Sequence, residues 1–383
     1  MRKLIAFFLA AALPMLLGGC AESRQAENQA YVIAMGLDRT EEGGIEISAQ
    51  IPKISGSQNS ESGGGSKSSG NYLPISAAAA DYVTALERLN WSVPRELNLS
   101  QIKIIIISRA LASEADFGEL MQELVNTEQL FAAADVVVCE GSAKEFVNAL
   151  SPTLGTRLSA DIESTIEHYQ SLGVMPDCSL ANLNYYTQSV YSDPLAGYAI
   201  LSGEGAETSK AQPASALGGS PQEIMQSAES EITTRYLGAA VFANGSFRGV
   251  LNGDQAILTN LINNSLDSFR YVFDGDTLEL SPMGQCRISV DTKENPARIA
   301  ISLNLSISGQ NKTPDVNKLR EALKGDMMEA ISLARDMGAD PFGFAEAAAR
   351  DFLTLQEWQD YDWRSRFQDA EIEIKLRFSH AGA

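Results

Sequence analysis

The residues able to do chemistry in this chain are four cysteines, two histidines and scattered acids, and only one of them sits in a pattern that dictates a reaction. Cys20 closes Leu17-Gly18-Gly19-Cys20, after Arg2 and Lys3 and an uncharged run from Leu4 to Leu17. That run is about 14 residues, and a spanning helix needs roughly 20. A cleaved signal segment is therefore expected at residues 1–19, with small residues preceding the cut. The pattern resembles a lipobox, in which the Cys20 thiol takes a diacylglyceryl group and becomes the first mature residue. Two acyl chains anchor a protein stably where one is marginal. The expected location is the outer face of a membrane.

The other candidates do not assemble into a catalytic set. Cys139, Cys178 and Cys286 form no close pair, which excludes a disulfide framework but leaves a single bridge open. Cys139 closes the run Val136-Val137-Val138 and reads as a buried strand thiol. His168 lies in a polar helical context and His380 in the tail, neither beside a nucleophile. CxxC and HExxH zinc patterns, the GxSxG elbow, the Walker loop, GxGxxG and the kinase signature are all missing. The acids of Asp38 to Glu42 and of Asp274-Gly275-Asp276 lack EF-hand spacing and read as polar turns. Trp91, Trp358 and Trp363 are expected to pack in a core or at a domain interface. No enzyme, cofactor or metal is expected. The net charge of −20, spread along the chain, argues against nucleic acid and against electrostatic docking on anionic lipid.

The elements that must carry these residues follow from periodicity. Tyr31 to Leu37 reads as a buried strand, forming a hairpin with the alternating Ile45, Ile47, Ala49 and Ile51. Ser55 to Gly70 is a Ser/Gly-rich loop. Ser76 is the expected N-cap of a helix carrying Ala79, Val83, Leu86 and Leu89. Ile104 to Ile107 demands a strand covered on both faces. An amphipathic helix over 114–126, the Val136 strand and helices near Phe146 and Ile162 complete a first domain, residues 20–200. A flexible linker is placed at 201–230, a small middle domain at 231–273 and a C-terminal domain at 274–383. The later part shows a hairpin turning at Ala243-Asn244-Gly245-Ser246, a helix capped by Asp254 and an alternating strand from Ile299 to Ile307. A long helix follows from Asp315 to Met337, stopped by Gly338, then a second helix to Trp358 and a last strand from Ile372 to Phe378. The fold class is α+β, in two to three mixed domains with antiparallel-rich sheets.

Several segments, in order, resemble one family, the C subunits of spore germinant receptors, or Ger(x)C lipoproteins. Cys20 is followed by Glu22-Ser23-Arg24-Gln25, then by Tyr31 to Leu37 with Gly36 and Asp38 at the strand end. Ala80 to Leu86 resembles the family's next helix, and Pro94-Arg95-Glu96-Leu97-Asn98-Leu99-Ser100 its arginine-bearing turn. Gly238 to Phe242 with Gly249 to Asn252 resembles the later hairpin, and Asp340-Pro341-Phe342-Gly343-Phe344 with Trp358 the late turn and its tryptophan. Ala21, Gln25, Pro341 and Ala345 depart from the family pattern. The resemblance implies a three-domain α+β fold and a non-enzymatic subunit at the spore inner membrane. It would work beside two integral membrane subunits, of A type and B type. It also marks Arg24, Gly36, Asp38, Arg95, Asp340, Gly343 and Trp358 as structural or partner-contact residues. For Arg95 two readings stand: an exposed turn residue, or a buried clamp on local carbonyls, with the clamp favoured. A second function class, a solute-binding lipoprotein serving a transporter, would need two similar lobes about a hinge, and the two halves look dissimilar. A third, an extracellular hydrolase, would need a site outside the known motifs.

Overall fold

The computed structural model describes residues 28–53, 72–153, 156–201, 234–309 and 314–380. Cys20, Arg24 and the Ser55–Gly70 loop lie outside them.

An eight-stranded sheet organises the first part, in the order β10-β9-β8-β7-β6-β2-β3-β4. Its strands are β2 (Ala34–Arg39), β3 (Ile45–Pro52), β4 (Tyr72–Ala79), β6 (Ile104–Ser108), β7 (Asp135–Cys139), β8 (Leu195–Leu201), β9 (Thr234–Ala243) and β10 (Ser246–Asn252). The four middle strands, β2, β6, β7 and β8, run parallel, and the flanks are antiparallel. Parallel strands are reached by helical crossovers, which put helices on both faces. Here α1 (Tyr82–Trp91), α3 (Phe117–Val125) and α6 (Leu180–Thr187) cover Ile105, Ile107, Val136 and Val138. On the other face α4 (Ala143–Ala149) and α5 (Leu158–Ser171) cover Ile104, Ile106, Val137 and Cys139. The isoleucine run is thus buried on both sides, as its composition requires. The short helix α2 (Arg109–Ala112) continues directly from β6.

Several expectations are corrected. The Tyr31–Leu37 strand is broken: β1 (Gln29–Tyr31) leaves the sheet to pair in parallel with β5 (Glu96–Asn98), and only Ala34 onward joins the sheet. The helix placed from Ser76 starts later. Tyr72 to Ala79 pairs residue for residue with β3, so tertiary pairing overrides the helical preference of its alanines. Asp81 is the N-cap, accepting from Thr84 N at 2.8 Å. The segment placed as a middle domain at 231–273 is instead divided. β9 pairs with β8 and β10 with β9, so the first sheet continues across the proposed linker.

Helix α7 (Gly253–Ile262) leads from the first sheet into the second, capped by Asn252 in a capping box with Gln255 rather than by Asp254. The second sheet holds β11 (Phe269–Phe273), β12 (Asp276–Pro282), β13 (Arg287–Asp291), β14 (Arg298–Ser308) and β15 (Glu371–His380). Ile299, Ile301, Leu303, Leu305 and Ile307 face the core, where Leu319, Leu323, Met327, Ile331 and Ala334 of α8 (Val316–Asp336) pack on them. Asp315 caps α8 and Gly338 follows it with φ of 70°. Three short helices, α9 (Phe344–Ala349), α10 (Leu355–Tyr361) and α11 (Trp363–Asp369), fill the end of this core.

Candidate functional site

Two clusters collect most of the residues singled out in the sequence. In the first, Asp340 follows the end of α8 and is buried at 4% exposure. Its Oδ1 accepts from Phe342 N and Phe344 N, both at 3.3 Å. Its Oδ2 accepts from Ala345 N at 2.6 Å and from Trp363 Nε1 at 3.1 Å. The carboxylate thus closes a turn and satisfies the first amides of α9, which have no partner within the helix. Gly343 makes this possible: it is the N-cap of α9 with φ of 74°, where a Cβ would strain the backbone. Burial pushes the Asp340 carboxyl up to about 6, and Asp193 adds to the rise, while the Ala345, Trp363 and Phe344 donors pull it back.

The same turn fastens the two sheets together. Asp340 N donates to Asp193 Oδ2 at 2.8 Å, and Arg364 Nη2 donates to Asp193 Oδ1 at 2.5 Å. Arg364 Nη1 also reaches Gly338 O at 3.0 Å. Trp358 Nε1 donates to Val190 O at 3.1 Å, and its ring lies 5.8 Å from Tyr191. Trp358 stacks on Trp363, which stacks on Phe367. The 190–193 segment of the first half is therefore clasped by α10, α11 and the Asp340 turn. Asn263 Nδ2 adds a contact to Pro341 O at 2.9 Å. Asp193, Arg364 and Trp363 were not singled out as site residues from sequence; they stand 147, 171 and 23 positions from their hydrogen-bond partners in this cluster.

Gly36 and Asp38 form the second cluster, at the end of β2. Asp38 accepts from Ala143 N at 2.9 Å, Lys144 N at 2.8 Å and Ser142 Oγ at 3.2 Å. Helix α4 is thereby seated on the strand. A Cβ on Gly36 would stand 2.4 Å from Ser48 Oγ and 2.9 Å from Ala143 O, so the glycine permits that approach. Lys144 Nζ then pairs with Glu46 at 2.6 Å on the neighbouring strand.

Arg95 joins neither cluster. It is exposed at the entry to β5, so the favoured buried clamp is replaced by the exposed-turn reading. The α1 end leaves this turn outside the sheet it feeds. Trp91, expected in a core or at a domain interface, is likewise 79% exposed, whereas Trp358 and Trp363 are buried.

The three described cysteines are free and buried. Burial raises each thiol, Cys286 to about 11, which makes all three poor nucleophiles. His168 is exposed on α5. Asp274 and Gly275 form the β11–β12 turn, both at positive φ. Among the described residues no His/Cys/Asp/Glu group is arranged to hold a metal ion. A polar cleft of about 930 Å³ opens between the sheets, bordered by Asn182, Tyr186, Arg287 and Arg350. No helix among the described residues is long and apolar enough to cross a membrane.

Comparison with known proteins places this architecture. Residues 22–201 match the family model described as "Spore germination protein N-terminal domain", and residues 237–379 match "Spore germination B3/ GerAC like, C-terminal". Spore germination protein KC of Bacillus subtilis (strain 168) is 26% identical over 142 residues, spanning 36% of this chain and 34% of that relative. A crystal structure of the GerBC protein superposes with a TM-score of 0.52 at 11% identity, over 91% of this chain and 97% of that one. The last comparison establishes a shared fold.

Proposed function

The chain belongs to the GerAC family of germinant receptor C subunits, and on that premise we propose that it is a lipid-anchored, non-enzymatic subunit of a spore nutrient receptor. Cys20 would carry the diacylglyceryl group at the outer face of the spore inner membrane. The globular part would sit against an A-type and a B-type integral membrane subunit.

The observation that carries the non-enzymatic part is the use of the motif residues. Asp340 and Asp38 both spend their oxygens on backbone amides and on neighbouring side chains of the fold. Gly36 and Gly343 supply close approach and a left-handed turn, and Trp358 spans the two halves. Such residues set the shape of a scaffold rather than a reaction. Shape is what a subunit offers its neighbours. The cleft between the sheets is the feature a solute-binding reading would draw on. Against it, a mostly parallel-centred eight-stranded sheet faces a five-stranded one, and these are not two similar lobes about a hinge.

The test is co-purification from detergent-solubilised spore membranes. Tagged wild-type chain should bring down both membrane subunits, and its deletion should abolish the nutrient response while leaving nutrient-independent germination intact. Recovery of the chain alone, with an unchanged nutrient response in the deletion strain, would refute the assignment.

A further inference from the structure

Trp91 ends α1 with 79% of its surface in solvent, while Trp358 and Trp363 are each 5% exposed. A single exposed ring is ordinary, and what distinguishes Trp91 is its place in the fold. The surroundings of this one indicate where it points. β1 and β5 run parallel with Gln29 opposite Glu96, which sets Asn28 beside Arg95 at the same end of the molecule. Asn28, Trp91, Val93, Pro94 and Arg95 line one shallow recess there. Cys20 precedes Asn28 by eight residues, and eight extended residues reach at most about 28 Å. If Cys20 is held in a bilayer, Asn28 at the rim of this recess stays within about 28 Å of the membrane surface.

We propose that Trp91, supported by Val93 and Pro94, inserts into the headgroup region of the bilayer that holds Cys20, with Arg95 directed at the lipid phosphates. The inference rests on the reading of Cys20 as the lipid anchor. Indole rings favour this depth because one edge is apolar and the N–H stays wet. An arginine fork matches a phosphate in two hydrogen bonds. The contact has to be small and mainly apolar. At a net charge of −20 the protein as a whole is repelled by an anionic surface, and exposed Glu96 adjoins Arg95. A second, weak attachment near the tether would fix the orientation of the globular part, which a single lipid anchor leaves free.

The experiment uses the lipidated full-length chain in phosphatidylethanolamine–phosphatidylglycerol vesicles whose acyl chains carry bromine close to the headgroups. Flotation reports the anchor and tryptophan quenching reports the contact. Quenching is expected in the wild type and lost in Trp91→Phe, with both proteins floating. Floating protein without quenching overturns the proposal and leaves the anchor standing, as does equal quenching in Trp91→Phe. If the native chain fails to float, the anchor reading fails. The chain from residue 21, tied through an N-terminal His-tag to nickel-chelating lipid, then tests Trp91 by itself under the same two criteria. A blue shift of Trp91 emission produced by the purified membrane subunits, but not by vesicles, would assign the patch to a protein partner and overturn the proposal.

Discussion

Replacing Asp340 by alanine removes the acceptor for four buried N–H groups and should loosen the joint between the two sheets. Two of the four bonds, from Phe342 N and Phe344 N, are long, at 3.3 Å, and are the weaker pair. The other two, from Ala345 N at 2.6 Å and Trp363 Nε1 at 3.1 Å, are shorter and equally buried. Leaving each of these unsatisfied costs about 1–3 kcal/mol, so the loss is about 2–6 kcal/mol. A typical fold is stable by only about 5–15 kcal/mol, which makes this a large fraction. Asp340→Asn keeps one acceptor oxygen, suited to the Ala345 and Trp363 donors, but sets its NH₂ against the Phe342 and Phe344 amides. It should lose about 1–2 kcal/mol. The assay is urea unfolding at pH 8, above the carboxyl's value of about 6, followed by far-ultraviolet circular dichroism and tryptophan emission. Trp363 lies in direct contact with the carboxylate, so emission should change in the alanine variant before global unfolding. A loss below about 1 kcal/mol, with native emission unchanged, would refute the claim that these donors depend on Asp340.

Gly36→Ala should destabilise by about 1–3 kcal/mol, because the new methyl meets backbone as well as the Ser48 hydroxyl; a melting curve like the wild type's would show that α4 can retreat. Arg95→Ala should change stability by no more than about 0.5 kcal/mol, as for most exposed positions, and a clear drop in melting temperature would restore the clamp. Asp135, accepting from Gln170 Nε2 at 3.0 Å, has its carboxyl pushed by burial from 3.8 to about 6. Between those values the folded state binds more protons than the unfolded one, so this group's contribution to stability is lost as pH rises from about 4 through 6. Asp135→Asn keeps the acceptor and removes that loss. Its stability relative to wild type should be flat near pH 4 and rise by about 1–3 kcal/mol above pH 7, and a pH-independent difference in urea titrations would contradict this.

The legible parts of the sequence were those in which local pattern and tertiary setting demand the same thing. Ile104 to Ile107 could only be a strand covered twice, and it is. The alternation from Ile299 to Ile307 and the α8 stripe closed by Gly338 fit opposite sides of one core. Asn244-Gly245 marked its hairpin because both residues adopt positive φ. Elsewhere distant pairing decided. Ser76 to Ala79 reads as the start of a helix until β3 is beside it, and nothing local signals that β9 returns to β8 across a low-complexity stretch. The Asp340 turn was visible only as a family motif. Its meaning depends on Asp193 and Arg364, whose link spans 171 positions and leaves no periodic trace. Exposure at Trp91 and Arg95 is hidden from the sequence for a related reason: burial of a turn is set by what packs over it, and here nothing among the described residues does.

The central claim is that Cys20 holds the protein at the membrane, and fractionation of cells making the chain without the other receptor subunits tests it most directly. The wild type should sediment with membranes and be released by detergent but not by high salt, whereas Cys20→Ala should appear in the soluble fraction. Cys20→Ala remaining with the membranes in the absence of its partners would contradict the account and place the anchor elsewhere.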